Sequence, residues 1–185
     1  MIFNFLYLVC QLTLFSIVRG APMTPNAGPE TEKWHIPDMK LHFMGPSTQT
    51  PIPWNTQSSF DSTFEFNIVF PDGKTTCTTH WPQGSPPTRE ISCNREASDQ
   101  IFSLSPRENR NGTLNECNFV LHVRRLATHG RFYSASHAIG CNDPQVESSY
   151  LTCLSGAPFD GIRCELKGPM SVMGDLVLEA RCEGC

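Results

Sequence analysis

The chain has 185 residues, among them nine cysteines, fifteen prolines and thirteen glycines, and 14 basic against 18 acidic side chains give it a net charge of −4. That mild acidity, with only four lysines, weighs against a nucleic-acid or anionic-membrane surface, so neither partner is expected. So many turn formers, in a chain with few long apolar runs, point to an all-β protein with one domain.

The first segment, "MIFNFLYLVCQLTLFSIVRG", is apolar from Phe3 to Val18 and ends in Val18-Arg19-Gly20, where a small residue suits signal-peptidase cleavage. Residues 1–20 are therefore expected to be a signal peptide and the mature protein to start at Ala21, secreted to the extracellular space. A membrane anchor would need a cleaner run of about 20 apolar residues. Cleavage removes Arg19 and Cys10, leaving 13 basic against 18 acidic side chains (net −5) and eight cysteines. An even number of cysteines in a small secreted chain reads as a disulfide framework. Zinc at the terminal Cys182-x-x-Cys185 is the competing reading, but no second ligand pair stands at a finger-like spacing. No metal or cofactor is expected.

Residues 21–33, "APMTPNAGPETEK", lack apolar periodicity and are read as a flexible arm. "WHIPDMKLHFM" follows, with Trp34 and Ile36 on one face and Met39, Leu41 and Phe43 alternating after Pro37. Proline lacks a ladder donor, so this is expected to be an edge strand or one bulged at that point. "GPSTQTPIPWN" reads as a surface loop carrying Trp54. In "STFEFNIVF", Phe64, Phe66, Ile68 and Phe70 recur with period two and should face a core. "PDG" turns the chain and "KTTCTTHW" returns antiparallel. "REISC", "DQIFSLS", "CNFVLHVRRL", "RFYSASHAI", "SYLTC" and "GIRCELK" continue the series. About eight or nine short strands imply a compact antiparallel β-barrel or sandwich over residues 34–168. Residues 169–185 are set apart as a cysteine-containing tail; "SVMGDLVLEARCEGC" suits a short helix at Val172, Leu176 and Ala180, while "DLVLEA" alternates. The glycosylation triplet Asn111-Gly112-Thr113 lies between two strands, where Asn-Gly favours an exposed turn, so a glycan is expected on Asn111.

Three stretches carry a resemblance. "KWHIPDM", the Phe-rich strand leading through Cys77 to Cys93 and "DQIFSLS", and "RFYSASHAIGCNDPQVESSYLTC" follow one another in an order that resembles the Alternaria major-allergen-like family of fungal secreted β-barrel proteins. The likeness runs from about Lys33 to Gly168. It implies the disulfides Cys77–Cys93 and Cys141–Cys153. Three ways then remain to join Cys117, Cys164, Cys182 and Cys185; the favoured one is Cys117–Cys164, both on expected strands, with Cys182–Cys185, and the rivals tie the tail back to the barrel. The family's early dimer-forming cysteine has no counterpart in residues 21–76. Its members include allergens, elicitors and effectors, so the resemblance implies binding of a host plant defence protein of the thaumatin-like type, or of a small aromatic compound.

Catalytic chemistry is less visible. His35, His42, His80, His122, His129 and His137 are dispersed without metal-ligand spacing, and no Gly-x-Ser-x-Gly occurs. Asp61 and Glu65 read as solvated edge charges. Glu90, His122, Arg124 and Arg125 could converge as in a secreted ribonuclease, although the helix such an enzyme packs on its sheet is missing. Trp54 and Trp81, in or beside loops, are candidate binding residues for sugar stacking or a protein partner. The expectation is thus a secreted, non-enzymatic effector-like binding protein. The alternative is a small secreted hydrolase or carbohydrate-binding module.

Overall fold

The computed structural model describes residues 30–43, 60–93, 99–107, 114–115, 117–156, 161–172 and 174–185. Ten strands and no helix occur among them: β1 (Thr31–Phe43), β2 (Ser62–Phe70), β3 (Gly73–Trp81), β4 (Ile91–Ser92), β5 (Gln100–Pro106), β6 (Asn118–Leu126), β7 (Phe132–Gly140), β8 (Leu151–Ser155), β9 (Ile162–Leu166) and β10 (Leu176–Cys182). They form one antiparallel sheet in the order β3-β2-β1-β10-β7-β6-β5-β4, with β9 also on β1 and β8 beyond β9. Trp54 and Asn111 lie outside the described residues.

β1 organises the sheet. One edge pairs with β2; on the other, Thr31–Ile36 pair with β10 and Lys40–Phe43 with β9. Pro37 falls in the gap between those two partners, where its missing N–H breaks no ladder bond. The register with β2 shifts between His35 and Asp38. This bulge lets buried residues change from even (Trp34, Ile36) to odd (Met39, Leu41, Phe43) while all five face inward. Of the two expectations for this segment the bulge holds, and the edge does not.

The sheet curls until its ends meet in a nearly closed barrel. Phe102 of β5 touches Phe64 and Phe66 of β2, with ring centroids 5.9 and 5.3 Å apart, and Phe119 of β6 meets Phe64 at 5.9 Å. These strands are not neighbours in the sheet, so their rings pack across the interior. The remaining seam, between edge strands β3 and β4, is spanned by Cys77–Cys93. Pairing the edges covalently hides strand ends that would otherwise invite intermolecular pairing.

Two disulfide expectations are corrected. Cys141 bonds to Cys117 and Cys153 to Cys164, in place of Cys141–Cys153 and Cys117–Cys164. The register explains both. Asn118 opposes Gly140 in the β6–β7 hairpin, so Cys117 and Cys141 sit just beyond that last pair. Cys153 directly opposes Cys164 in β8–β9, with Cα atoms 4.0 Å apart. Cys182 bonds to Cys185.

The boundaries also move. Residues 174–185, assigned to a tail outside the barrel, supply β10 in the middle of the sheet, with Leu176, Leu178 and Ala180 fully buried. Thr31–Lys33, assigned to the arm, already belong to β1. Four disulfides fit an oxidising compartment. No helix of the described residues is long and apolar enough to cross a membrane.

Candidate functional site

Because large apolar side chains face inward on every second position, the alternate positions form the outer surface. Across β5, β6, β7 and β10 that surface is hollow. Two rows of residues cross it. Ser103 of β5, His122 of β6 and Ser136 of β7 stand opposite one another in one row, and Ile101, Arg124, Ser134 and Arg181 in the next. Neighbouring strands are about 4.8 Å apart, so four strands present a front roughly 14 Å wide. Glu90 and Thr88, ahead of β4, close one side, and Glu179 and Glu183 the other; the groove has a volume of about 1040 Å³.

The side chains in this groove are held. Ser105 Oγ and His122 Nε2 are 2.7 Å apart. Arg124 donates to Glu183 Oε2 from Nε at 3.0 Å, pairs with it again through Nη2 at 2.8 Å, and stacks over the Phe132 ring at 4.5 Å. The ion pair is more than a third exposed, so it orders the arginine more than it stabilises the fold. The lining mixes hydroxyl and charged side chains of both signs with apolar ones such as Ile101 and Val177, and suits a ligand that is part polar and part apolar.

A second hollow of about 760 Å³ lies on the outer face of β3, β2, β1, β9 and β8. Here His80, Thr63, His42, Arg163 and Leu154 form one row, and Thr78, Glu65, Lys40, Glu165 and Thr152 the next. His42 stacks on Phe60, with centroids 4.2 Å apart.

Of the expected ribonuclease set, Glu90, His122 and Arg124 do meet in the first groove, but Arg125 points the opposite way. It is 3% exposed, and its Nη2 donates to both Glu32 oxygens, at 3.1 and 2.8 Å, while Nη1 bonds Asp72. Phe70 and Trp34 stack on the guanidinium at 4.6 and 5.9 Å, and Trp34 Nε1 donates to Glu32 Oε2 at 2.8 Å. This network braces β6 against β1 and the β2–β3 turn through the barrel interior. Burial pushes the Asp72 carboxyl up, but the hydrogen bond and charge of Arg125 outweigh it and hold the group below the usual carboxylate range.

Trp81 is a correction. It is 3% exposed, part of the core, and offers no stacking surface. Its place at the end of β3, where inward positions run Cys77 to Trp81, explains why. His137, half-buried beside Tyr150 with Nε2 3.2 Å from the phenol oxygen, has its pKa lowered by burial; burial and Glu147 raise that of Tyr150. Asp61 is exposed and Glu65 lies in the second hollow, so the two form no common site.

The residues that sequence reasoning missed are Ser105, Glu179, Arg181 and Glu183. Alternation marks each as outward. Only the neighbour order β5-β6-β7-β10 brings them together, and nothing local encodes it. Among the described residues, the one set of three metal-type ligands close together is Cys117, Cys141 and Cys153, all engaged in disulfides. Neither a protein-family model nor a curated protein matches the chain.

Proposed function

We propose that the protein is a secreted, non-enzymatic binding protein that holds its partner in the groove over β5, β6, β7 and β10. The observation that carries this reading is the groove itself: a hollow of about 1040 Å³ most of whose polar side chains project from paired strands, with Thr88, Glu90 and Glu183 added at its sides. Such side chains are pre-positioned, so less ordering entropy is lost when a partner docks. The resemblance to fungal allergen-like and effector proteins supports a host plant defence protein as that partner, with a small ligand as the lesser form of the same role. On this reading the partner docks on a sheet face.

The test is capture of plant apoplastic proteins by the oxidised protein, the Arg181→Glu variant and a reduced, unfolded control. A band retained by the oxidised protein and lost with Arg181→Glu, at unchanged thermal stability, is the expected result. No enrichment over the unfolded control overturns the reading. One contact favours a second function: Ser105 and His122 form a nucleophile–base pair in the same groove as Glu90 and Arg124. Turnover of RNA or glycans that is abolished by His122→Ala would make the protein a hydrolase instead.

A further inference from the structure

The bridges Cys117–Cys141 and Cys153–Cys164 are not independent. The sulfurs of Cys117, Cys141 and Cys153 all lie within 4.8 Å of one another, although two separate bonds account for them. The backbone holds two of these residues side by side. Cys141 forms a parallel bridge with Leu151. The next residue, Asn142, clamps Cys153 from both sides: its Nδ2 donates to the Cys153 carbonyl at 2.8 Å, and its Oδ1 accepts from the Cys153 N–H at 2.7 Å. Asn142 adopts a left-handed φ of 58° to do so, a conformation asparagine tolerates better than most residues. Access is unequal. Cys117 and Cys141 are partly exposed, whereas Cys153 and Cys164 are 7% and 3% exposed.

We infer that these four cysteines form a thiol-exchange relay in which Cys117 is the modification site for a small monothiol and Cys141 takes Cys153 from Cys164. The steps balance. A monothiol enters as its thiolate and attacks Cys117 Sγ; the Cys117–Cys141 bond breaks, a mixed disulfide forms on Cys117, and Cys141 leaves as a thiolate. That thiolate attacks Cys153 Sγ, forming Cys141–Cys153, and Cys164 leaves as a thiolate and takes up the proton lost by the monothiol. One disulfide bond is made for each one broken, and no other oxidant or reductant is required. The second step starts from neighbouring sulfurs on two backbones that Asn142 already holds side by side. The freed Cys164 thiol lies on the inward face of β9, in the core, between outward Arg163 and Glu165. The relay is independent of what the first groove binds.

The test uses the oxidised full-length protein and glutathione, with acid quenching, alkylation and peptide mapping by mass spectrometry without reduction. The expected product carries glutathione on Cys117, a Cys141–Cys153 linkage and an alkylated Cys164, while Cys77–Cys93 persists. A product in which Cys117–Cys141 opens and Cys153–Cys164 stays intact overturns the relay, as does joint alkylation of all four cysteines without the new linkage. The double variant Cys153→Ser, Cys164→Ser removes the acceptor. The Cys141 thiolate can then only expel glutathione from Cys117, so the adduct is lost at the thiol concentration that loads the unmodified protein. An undiminished adduct in that variant also overturns the relay.

Discussion

Arg124 and Arg125 are adjacent and chemically identical, yet period two sends one guanidinium to the outer groove and the other into the core. Removing each should therefore read differently. Arg125→Ala leaves Glu32 buried without its cation and should cost about 3–5 kcal/mol in urea unfolding; Arg124→Ala breaks a partly exposed pair and should cost about 1 kcal/mol or less. Asp72 adds a pH dependence. Its folded pKa lies below its ordinary value of 3.8, so its contribution is complete above that value and is lost as the pH falls through the folded pKa. In Asp72→Asn the acid limb of a stability-against-pH curve should flatten. His137 acts in the same direction at milder pH. The unfolded chain takes up a proton near 6.5 while the buried imidazole resists it, so stability should decline as the pH falls below 6.5 and level off below the folded value. His137→Gln should remove that step, as read by melting temperature between neutral and mildly acid pH.

At the level of elements, β10 carries the sharpest consequence. Its alternation, Leu176, Leu178 and Ala180 inward with Glu179 and Arg181 outward, was present in "DLVLEARC" but competed with a helical spacing through Val172. Partners on both sides, β1 and β7, settle the contest, because a strand there completes two ladders and a helix completes none. Leu178→Ala should accordingly destabilise the protein by about 2–5 kcal/mol, the range for a buried leucine. Deleting residues 174–185 should leave no cooperative unfolding transition. A detachable tail would give the opposite result, with the barrel's transition intact in circular dichroism. β1 shows the same logic earlier in the chain: its proline suggested an edge, yet the strand is central because the proline stands where one partner hands over to the next.

The whole molecule is held shut at its seam by Cys77–Cys93 and through its interior by the Phe64, Phe66, Phe102 and Phe119 cluster and the Arg125 network. A bridge of this loop length stabilises by about 3 kcal/mol in the chain-entropy model. Replacing both cysteines by alanine should lower the urea midpoint accordingly, and should increase association at high concentration as the β3 edge is released. Limited proteolysis and size-exclusion chromatography read the two effects separately. The grooves belong to this scale as well, since each is shared among four or five strands drawn from distant parts of the chain.

Composition and period two determined the all-β class, nearly every strand, the inward face of each and the even pool of paired cysteines, because these depend on neighbours within a few residues. Cys117 and Cys141 were legible in principle from the β6–β7 register, and Cys153 and Cys164 from β8–β9, but registers depend on hairpin geometry that alternation alone leaves open. Tertiary structure alone decided that β10 lies between β1 and β7, that Trp81 is core, and that Glu90, His122, Arg124 and Arg181 share one groove. Strand order is the physical reason: a strand's own residues specify which face is buried, whereas its neighbours are chosen by the packing of the entire barrel.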